Sequence, residues 1–232
     1  MEAIIMIHPT LEVSDQAVSN QEISSQESRK QDASNQDANH QTTLQKQNYT
    51  VEEYFELELT AETRNEYRNG VIIPMTGGTP AHNRISGNLY IALSLSLKRK
   101  PHETFHVDQR LWIPKRNLYT YPDVMVLEKP LQLQTGRKDT LVNPCFIAEV
   151  LSKSTQNYDR GEKFLAYRTM ESFKEYLLVD QYHIHVEHYV KTSAHQWLLS
   201  EYDDPSVTLS FSSFEFQIQI ADLYENIEIA DS

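Results

Sequence analysis

The chain has 232 residues, which suggests one domain of ordinary size or one domain with an appendage, and its 6 Gly and single cysteine, Cys145, exclude a collagen-like or disulfide-stapled architecture. Lys and Arg number 21 against 33 Asp and Glu, a formal net charge of −12. So acidic a chain will not coat nucleic acid nonspecifically, though a local basic patch and a metal can still bring an enzyme to DNA. No apolar run approaches the roughly 18 residues of a membrane helix, residues 3–7 lack the basic flank of a signal peptide, and a lone thiol fits a reducing compartment; the expectation is a cytoplasmic protein without membrane association.

Residues 1–47 read as a disordered, low-complexity tail, or as a binding tail. Gln recurs at 16, 21, 26, 31, 36 and 41. A period of five matches neither helix nor strand, so no face becomes apolar and burial cannot offset the entropy of ordering. The folded domain is expected over 48–232. Thr50 before Glu52 and Glu53 marks a helix start. Asn65–Pro74 reads as a hairpin turning at Asn69-Gly70. After Thr79-Pro80 the spacing of Ile85, Leu89, Leu93 and Leu97 predicts a helix of about five turns, with Lys98-Arg99-Lys100 at its C-terminus.

Strands are predicted over 104–113, where Phe105, Val107, Leu111 and Ile113 alternate with polar residues, over 121–127, and over 145–151, whose nearly continuous apolar run indicates burial on both faces. A helix is expected over about 158–171, weakened by Gly161, then strands at 175–180, near 184–190 and at 196–202. Phe211, Phe214, Phe216, Ile218 and Ile220 suggest a closing edge segment. The order predicts an α/β sandwich with a mixed sheet.

Glu149 interrupts the central apolar strand, and a lone buried carboxylate is costly unless paired, protonated or bound to metal. Pro122 places Asp123 near a strand mouth. Two carboxylates at neighbouring strand ends suit Mg²⁺, a hard ion that takes oxygen ligands and retains waters. Lys163 shares one helix face with Asp159 and Tyr167; its bland reading is a surface lysine paired with Asp159, its functional reading an amine beside the reacting phosphate. His183, His185 and His188 lack a convincing third-ligand spacing and read as an edge strand without zinc.

Pro122-Asp123 followed by Glu149-Val150-Leu151 is similar to the PD-(D/E)XK nuclease signature. The chain more specifically resembles the Uma-two family of bacterial proteins described as restriction endonucleases. The resemblance is carried by Asn65-Glu66-Tyr67 with Gly70, Pro80-Ala81-His82-Asn83, Val107-Asp108, Tyr121-Pro122-Asp123-Val124 and Asn143-Pro144. It continues through Glu149-Val150-Leu151-Ser152, Ser154-Thr155, Tyr158 to Lys163, Tyr167, and Glu175-Tyr176 to Asp180. It covers about 50–228 and implies a restriction-endonuclease-like sandwich with a mixed central sheet flanked by helices. It also implies a Mg²⁺-dependent DNA endonuclease acting as a homodimer, with Asp123, Glu149 and the Val150 carbonyl as metal ligands.

The signature's lysine position holds Leu151 here. In this family the lysine resides on the helix, which points to Lys163. Lys153, with the strand parity of Glu149 but standing where the family usually has Pro, competes with it. His82 and Asp108 are second-rank site candidates, whereas Glu66 and Gly70 are assigned to hairpin structure. The rival to a nuclease is a catalytically degenerate domain of the same fold that binds DNA or a protein partner, favoured by the acidic charge and by Leu151; a hydrolase with another substrate is a third reading.

Overall fold

A computed structural model describes residues 48–229; the tail expected over 1–47 lies outside the described residues. The capping box forms as the sequence requires. Thr50 accepts from the Glu53 amide and the Glu53 carboxylate accepts from Thr50, opening α1 (Val51–Thr60). Strands β1 (Asn65–Arg68) and β2 (Val71–Pro74) pair antiparallel about Asn69 and Gly70, whose φ of 48° and 91° are those of a tight hairpin turn. Helix α2 (Pro80–Ser96) starts at a Thr79 cap and buries Ile85, Leu89 and Leu93. It ends before Lys98-Arg99-Lys100, which lie in the following turn rather than in the helix.

The predicted strand 104–113 is two strands. β3 (His102–His106) and β4 (Arg110–Ile113) belong to different sheets, and the chain breaks between them at Val107, whose φ is +50°. Alternation continues across the break, so the hydrophobic pattern could not reveal it. β5 (Leu118–Thr120), β6 (Val124–Glu128), β7 (Thr140–Leu141) and β8 (Pro144–Leu151) follow.

A helical segment, α3 (156–167), replaces the predicted helix over 158–171. Its centre, Asp159–Lys163, is π-helical, and it ends with the turn Phe164–Tyr167. Then come β9 (Glu175–Asp180), β10 (Val186–Ser193), β11 (Gln196–Tyr202), β12 (Thr208–Ser210), β13 (Gln217–Gln219) and the short α4 (Ile220–Leu223). His183 and His185 precede β10 in a turn, and the sheet edge is β11, not the histidine-bearing segment.

The strands form two mixed sheets. The larger runs β11-β10-β9-β8-β6-β3 with only β8 and β9 parallel, and the smaller runs β2-β1-β5-β4-β7 with only β4 and β7 parallel. Side chains alternate across β8 as a strand demands. Phe146, Ala148 and Val150 pack on one face with α2, whereas Ile147 and Leu151 pack on the other with α3 and the smaller sheet. The fold is thus mixed α/β with two sheets and few helices, rather than one sheet flanked by helices.

Nor is 211–220 a closing edge. β12 and β13 make their own two-stranded ribbon, and Phe211 and Phe214 pack edge-on against Phe146 in the core. Among the described residues no helix is long and apolar enough to cross a membrane.

Two buried ionic groups tie these parts together. Arg110 donates to Glu58 (2.9 Å), to the Tyr121 hydroxyl (2.7 Å) and to Asp139 (3.0 Å), joining α1 to the smaller sheet. Glu175 accepts from the Ser212 and Ser213 amides (2.9 and 2.8 Å) and faces His188 Nε2 (3.0 Å), which pins the C-terminal ribbon to β9. Burial raises the Glu175 pKa, but His188 and the two amides outweigh it and hold the carboxyl below its usual range.

Arg110→Ala leaves Glu58 buried without its counter-charge and is expected to cost about 3–5 kcal/mol in urea denaturation; a loss of ~1 kcal/mol or less, the worth of an exposed pair, would deny the network that role. The stability Glu175 contributes is present above the unfolded carboxyl pKa of about 4.3 and is lost as pH falls through the lower folded value. Glu175→Gln should therefore flatten the acid limb of a stability–pH curve, and an unaltered limb would contradict this linkage.

Candidate active site

The site forms where β6 begins and β8 ends. Val124 is opposite Ala148, so continuing the antiparallel register by one residue sets Asp123 opposite Glu149. Strand parity turns both side chains to the α3 face. The Val150 amide donates to Asp123 Oδ2 (2.8 Å), and the Asp123 amide lies 3.4 Å from Glu149 Oε2. Because the N–H and C=O of one strand residue leave on the same side, the Val150 carbonyl also faces the Asp123 side.

Helix α3 packs over these strand ends and delivers Lys163. Its Nζ lies 2.9 Å from Glu149 Oε1, 3.4 Å from Asp159 Oδ1 and 3.7 Å from Glu66 Oε1. The Tyr167 hydroxyl donates to Glu149 Oε1 (2.6 Å), and the Tyr176 hydroxyl donates to the Asp159 carbonyl (3.1 Å). Asp159 and Lys163 both belong to the widened π turn, a distortion that occurs often at functional sites. From the smaller sheet, β1 supplies Glu66, which accepts a short hydrogen bond from Thr120. At the outer rim His82 Nε2 lies 3.2 Å from Asp123 Oδ2; these two side chains are 17% and 14% exposed, against 4% for Glu149 and 7% for Lys163.

Asp123, Glu149, Lys163 and His82 are therefore brought together, with the Val150 backbone beside them. Lys153 is exposed, its amine over the Tyr182 ring at 5.3 Å, and Asp108 is exposed in the turn after β3, 3.7 Å from Arg64; neither joins the group. Glu66 is the residue that sequence reasoning left in the hairpin. Its strand is too short for parity to disclose a buried acid, and its partner Lys163 is 97 positions away. The i, i+4, i+8 spacing places Asp159, Lys163 and Tyr167 on one helix face, but nothing in the sequence signals the hydrogen bond from Tyr167 to Glu149.

The electrostatics are lopsided. Glu66, Asp123, Glu149 and Asp159 surround one ammonium and one histidine. Burial pushes Glu149 up to about 8 despite Lys163, with Asp123 and Asp159 adding repulsion, and burial likewise raises Asp159. Burial disfavours charge on Lys163, but Glu149, Asp159 and Glu66 outweigh it and hold the amine's pKa well above its usual value. Burial also opposes charge on His82, yet Asp123, with Glu149 and Asp159, outweighs it and the pKa rises.

Asp123 Oδ1 accepts no hydrogen bond among the described residues. No group of three or more His, Cys, Asp or Glu side chains there forms a ready cation cage. The donor set is instead two carboxylates at the strand ends. A cleft of about 620 Å³ lies at the far end of β8, near Asn143, Cys145 and Lys174, and is remote from this chemistry.

Residues 51–222 match the model of the family described as "Uma2: Putative restriction endonuclease". An uncharacterized protein of Synechocystis sp. is 40% identical over 163 residues, 70% of this chain and 92% of that protein. A second uncharacterized Synechocystis protein is 35% identical over 153 residues, 65% and 78% of the respective chains. In three dimensions the chain is similar to a crystal structure from Anabaena variabilis described as "a putative nuclease belonging to DUF820". The TM-score is 0.63 at 19% identity, covering 76% of this chain and 97% of that one, a likeness of fold.

The raised Glu149 pKa has a thermodynamic consequence in the metal-free protein. The stability gained by the folded state's extra proton is full below the unfolded value of about 4.3 and is lost as pH rises through about 8. Chemical denaturation from pH 4 to 9 should show this decline in wild type and a flatter curve in Glu149→Gln. Parallel curves would mean that Glu149 is ionised throughout.

Proposed function

The chain belongs to the family described as "Putative restriction endonuclease", and on that premise we propose that it is a Mg²⁺-dependent endonuclease hydrolysing DNA phosphodiester bonds on a restriction-endonuclease-like fold. The observation that carries this reading is the buried excess of carboxylate over cationic side chains at the ends of β6 and β8, beside an amine aimed at the same carboxylate. Burial first, and then the nearby Asp123 and Asp159, push Glu149 up to about 8 even with Lys163 beside it. Hard oxygen donors and an Asp123 oxygen without a hydrogen bond fit a small divalent cation that keeps some of its waters.

Asp123, Glu149 and the Val150 carbonyl would hold the ion. When bound, Mg²⁺ lowers the pKa of a coordinated water and offsets charge on the scissile phosphate. The remaining work belongs to the chain. Lys163, kept protonated by Glu149, Asp159 and Glu66, places a fixed positive charge where a phosphoryl oxygen gains negative charge. Tyr167 orients Glu149 through its hydroxyl. Val150 orients Asp123 through its amide. Cutting both strands of a duplex usually calls for two such sites, which favours a homodimer as the active species.

Purified protein is expected to nick or cut DNA with Mg²⁺ and to lose this in EDTA. Glu149→Ala and Lys163→Ala should each lower the rate by about 100-fold or more, and wild-type rates in both would remove these residues from the chemistry. Mg²⁺ or Mn²⁺ should raise the melting temperature of wild type but not of Asp123→Ala. Metal binding without cleavage would instead indicate a degenerate member that binds DNA or a partner protein.

A further inference from the structure

We propose that Gly78 and His82 are positioning residues that form a latch on Asp123: the absence of a side chain at Gly78 lets the His82 ring lie against the loop before α2, which fixes its Nε2 on Asp123 Oδ2. This rests on Asp123 being an ion ligand only for its effect on metal affinity; the latch itself is a matter of contacts. A methyl group on Gly78 would stand 2.8 Å from His82 Nδ1, 3.0 Å from its Cγ and 3.2 Å from Asn83 Oδ1. The first is closer than real Cβ atoms approach anything, and every atom met belongs to a side chain. The φ of Gly78 is not in the left-handed region, so alanine imposes no backbone strain there, and relief must come from moving the His82 ring.

The loop cannot simply retreat. Thr79 caps the His82 amide (3.1 Å) and donates from its hydroxyl to Gln181 Oε1 (2.5 Å), while Gln181 donates to the Leu151 carbonyl (2.8 Å). The start of α2 is thereby tied to the end of the strand that carries Glu149. Within this setting His82 Nδ1 is buried without a hydrogen-bond partner, so Asp123 is the ring's one polar attachment among the described residues. A buried ring nitrogen left unpaired is unfavourable, and it persists here because Gly78 and the helix start confine the ring. Nε2 then lies 3.2 Å from Asp123 Oδ2, the oxygen that also accepts from the Val150 amide, and Asp123 Oδ1 accepts no hydrogen bond among the described residues.

The first test uses metal-free protein and ¹H–¹⁵N correlations of histidine rings. The His82 Nε2–H signal should be protected from exchange in wild type and should move and exchange faster in both Asp123→Asn and Gly78→Ala. A signal unchanged by Gly78→Ala overturns the latch. The second test is Mn²⁺ affinity by calorimetry. Gly78→Ala should weaken binding about tenfold in wild type and not at all in a His82→Ala background, and His82→Gln, which restores a donor near Nε2, should recover most of the affinity. Equal losses from Gly78→Ala in both backgrounds would show that the glycine acts independently of His82 and refute the proposal. A wild type that binds no Mn²⁺ would overturn the metal reading of Asp123, whereas the ring signal would still decide whether the latch exists.

Discussion

The Lys163–Glu149 contact is the constraint around which the interior is arranged. An ammonium and a carboxylate 2.9 Å apart in a dry interior satisfy each other only if their remaining valences are also met. Here they are met from three directions: Tyr167 and Asp159 from the same helix, Glu66 from the smaller sheet, and Asp123 from the neighbouring strand. The contact therefore ties the two sheets and α3 to one point. Four carboxyl groups there face one ammonium and one histidine, an imbalance that an ordinary structural ion pair lacks.

Asp159 and Lys163 face the strands together because they lie four positions apart on one helical segment, and the Asp159 carbonyl in its π turn accepts from Tyr176. Two positions after Glu149, Leu151 packs in the apolar core between the sheets, and the amine beside Glu149 comes instead from the helix. β8 is thereby left free for burial against α3.

Local features were the most legible in the sequence. The Thr50 capping box, the Asn69-Gly70 hairpin, the Thr79-Pro80 helix start and the doubly buried β8 all follow from short-range stereochemistry or from an unbroken apolar run. Glu149 stands out because it conflicts with its apolar strand, and Asp123 because Pro122 sets it at a neighbouring strand mouth. What stayed hidden depends on tertiary partners. The break at Val107 leaves alternation intact while sending two strands to different sheets. Glu66 sits in a polar four-residue strand, and the phenylalanines after Phe211 have the composition of an edge strand yet fill the core. Arg110 resembled one more polar residue of an alternating strand; its burial follows from Glu58 and Tyr121, which lie on other elements.

The tether between Glu175 and Ser212–Ser213 bears on how the molecule is made. β8 and β9 are complete well before Phe211, Phe214 and Phe216 leave the ribosome, yet those rings cover Phe146 and bring the amides that Glu175 requires. A nascent chain halted after β11 holds an uncovered aromatic surface and a buried acid lacking two of its donors. The half-covered sheet therefore stays exposed until the β12–β13 ribbon has been made, and its closure waits for that segment.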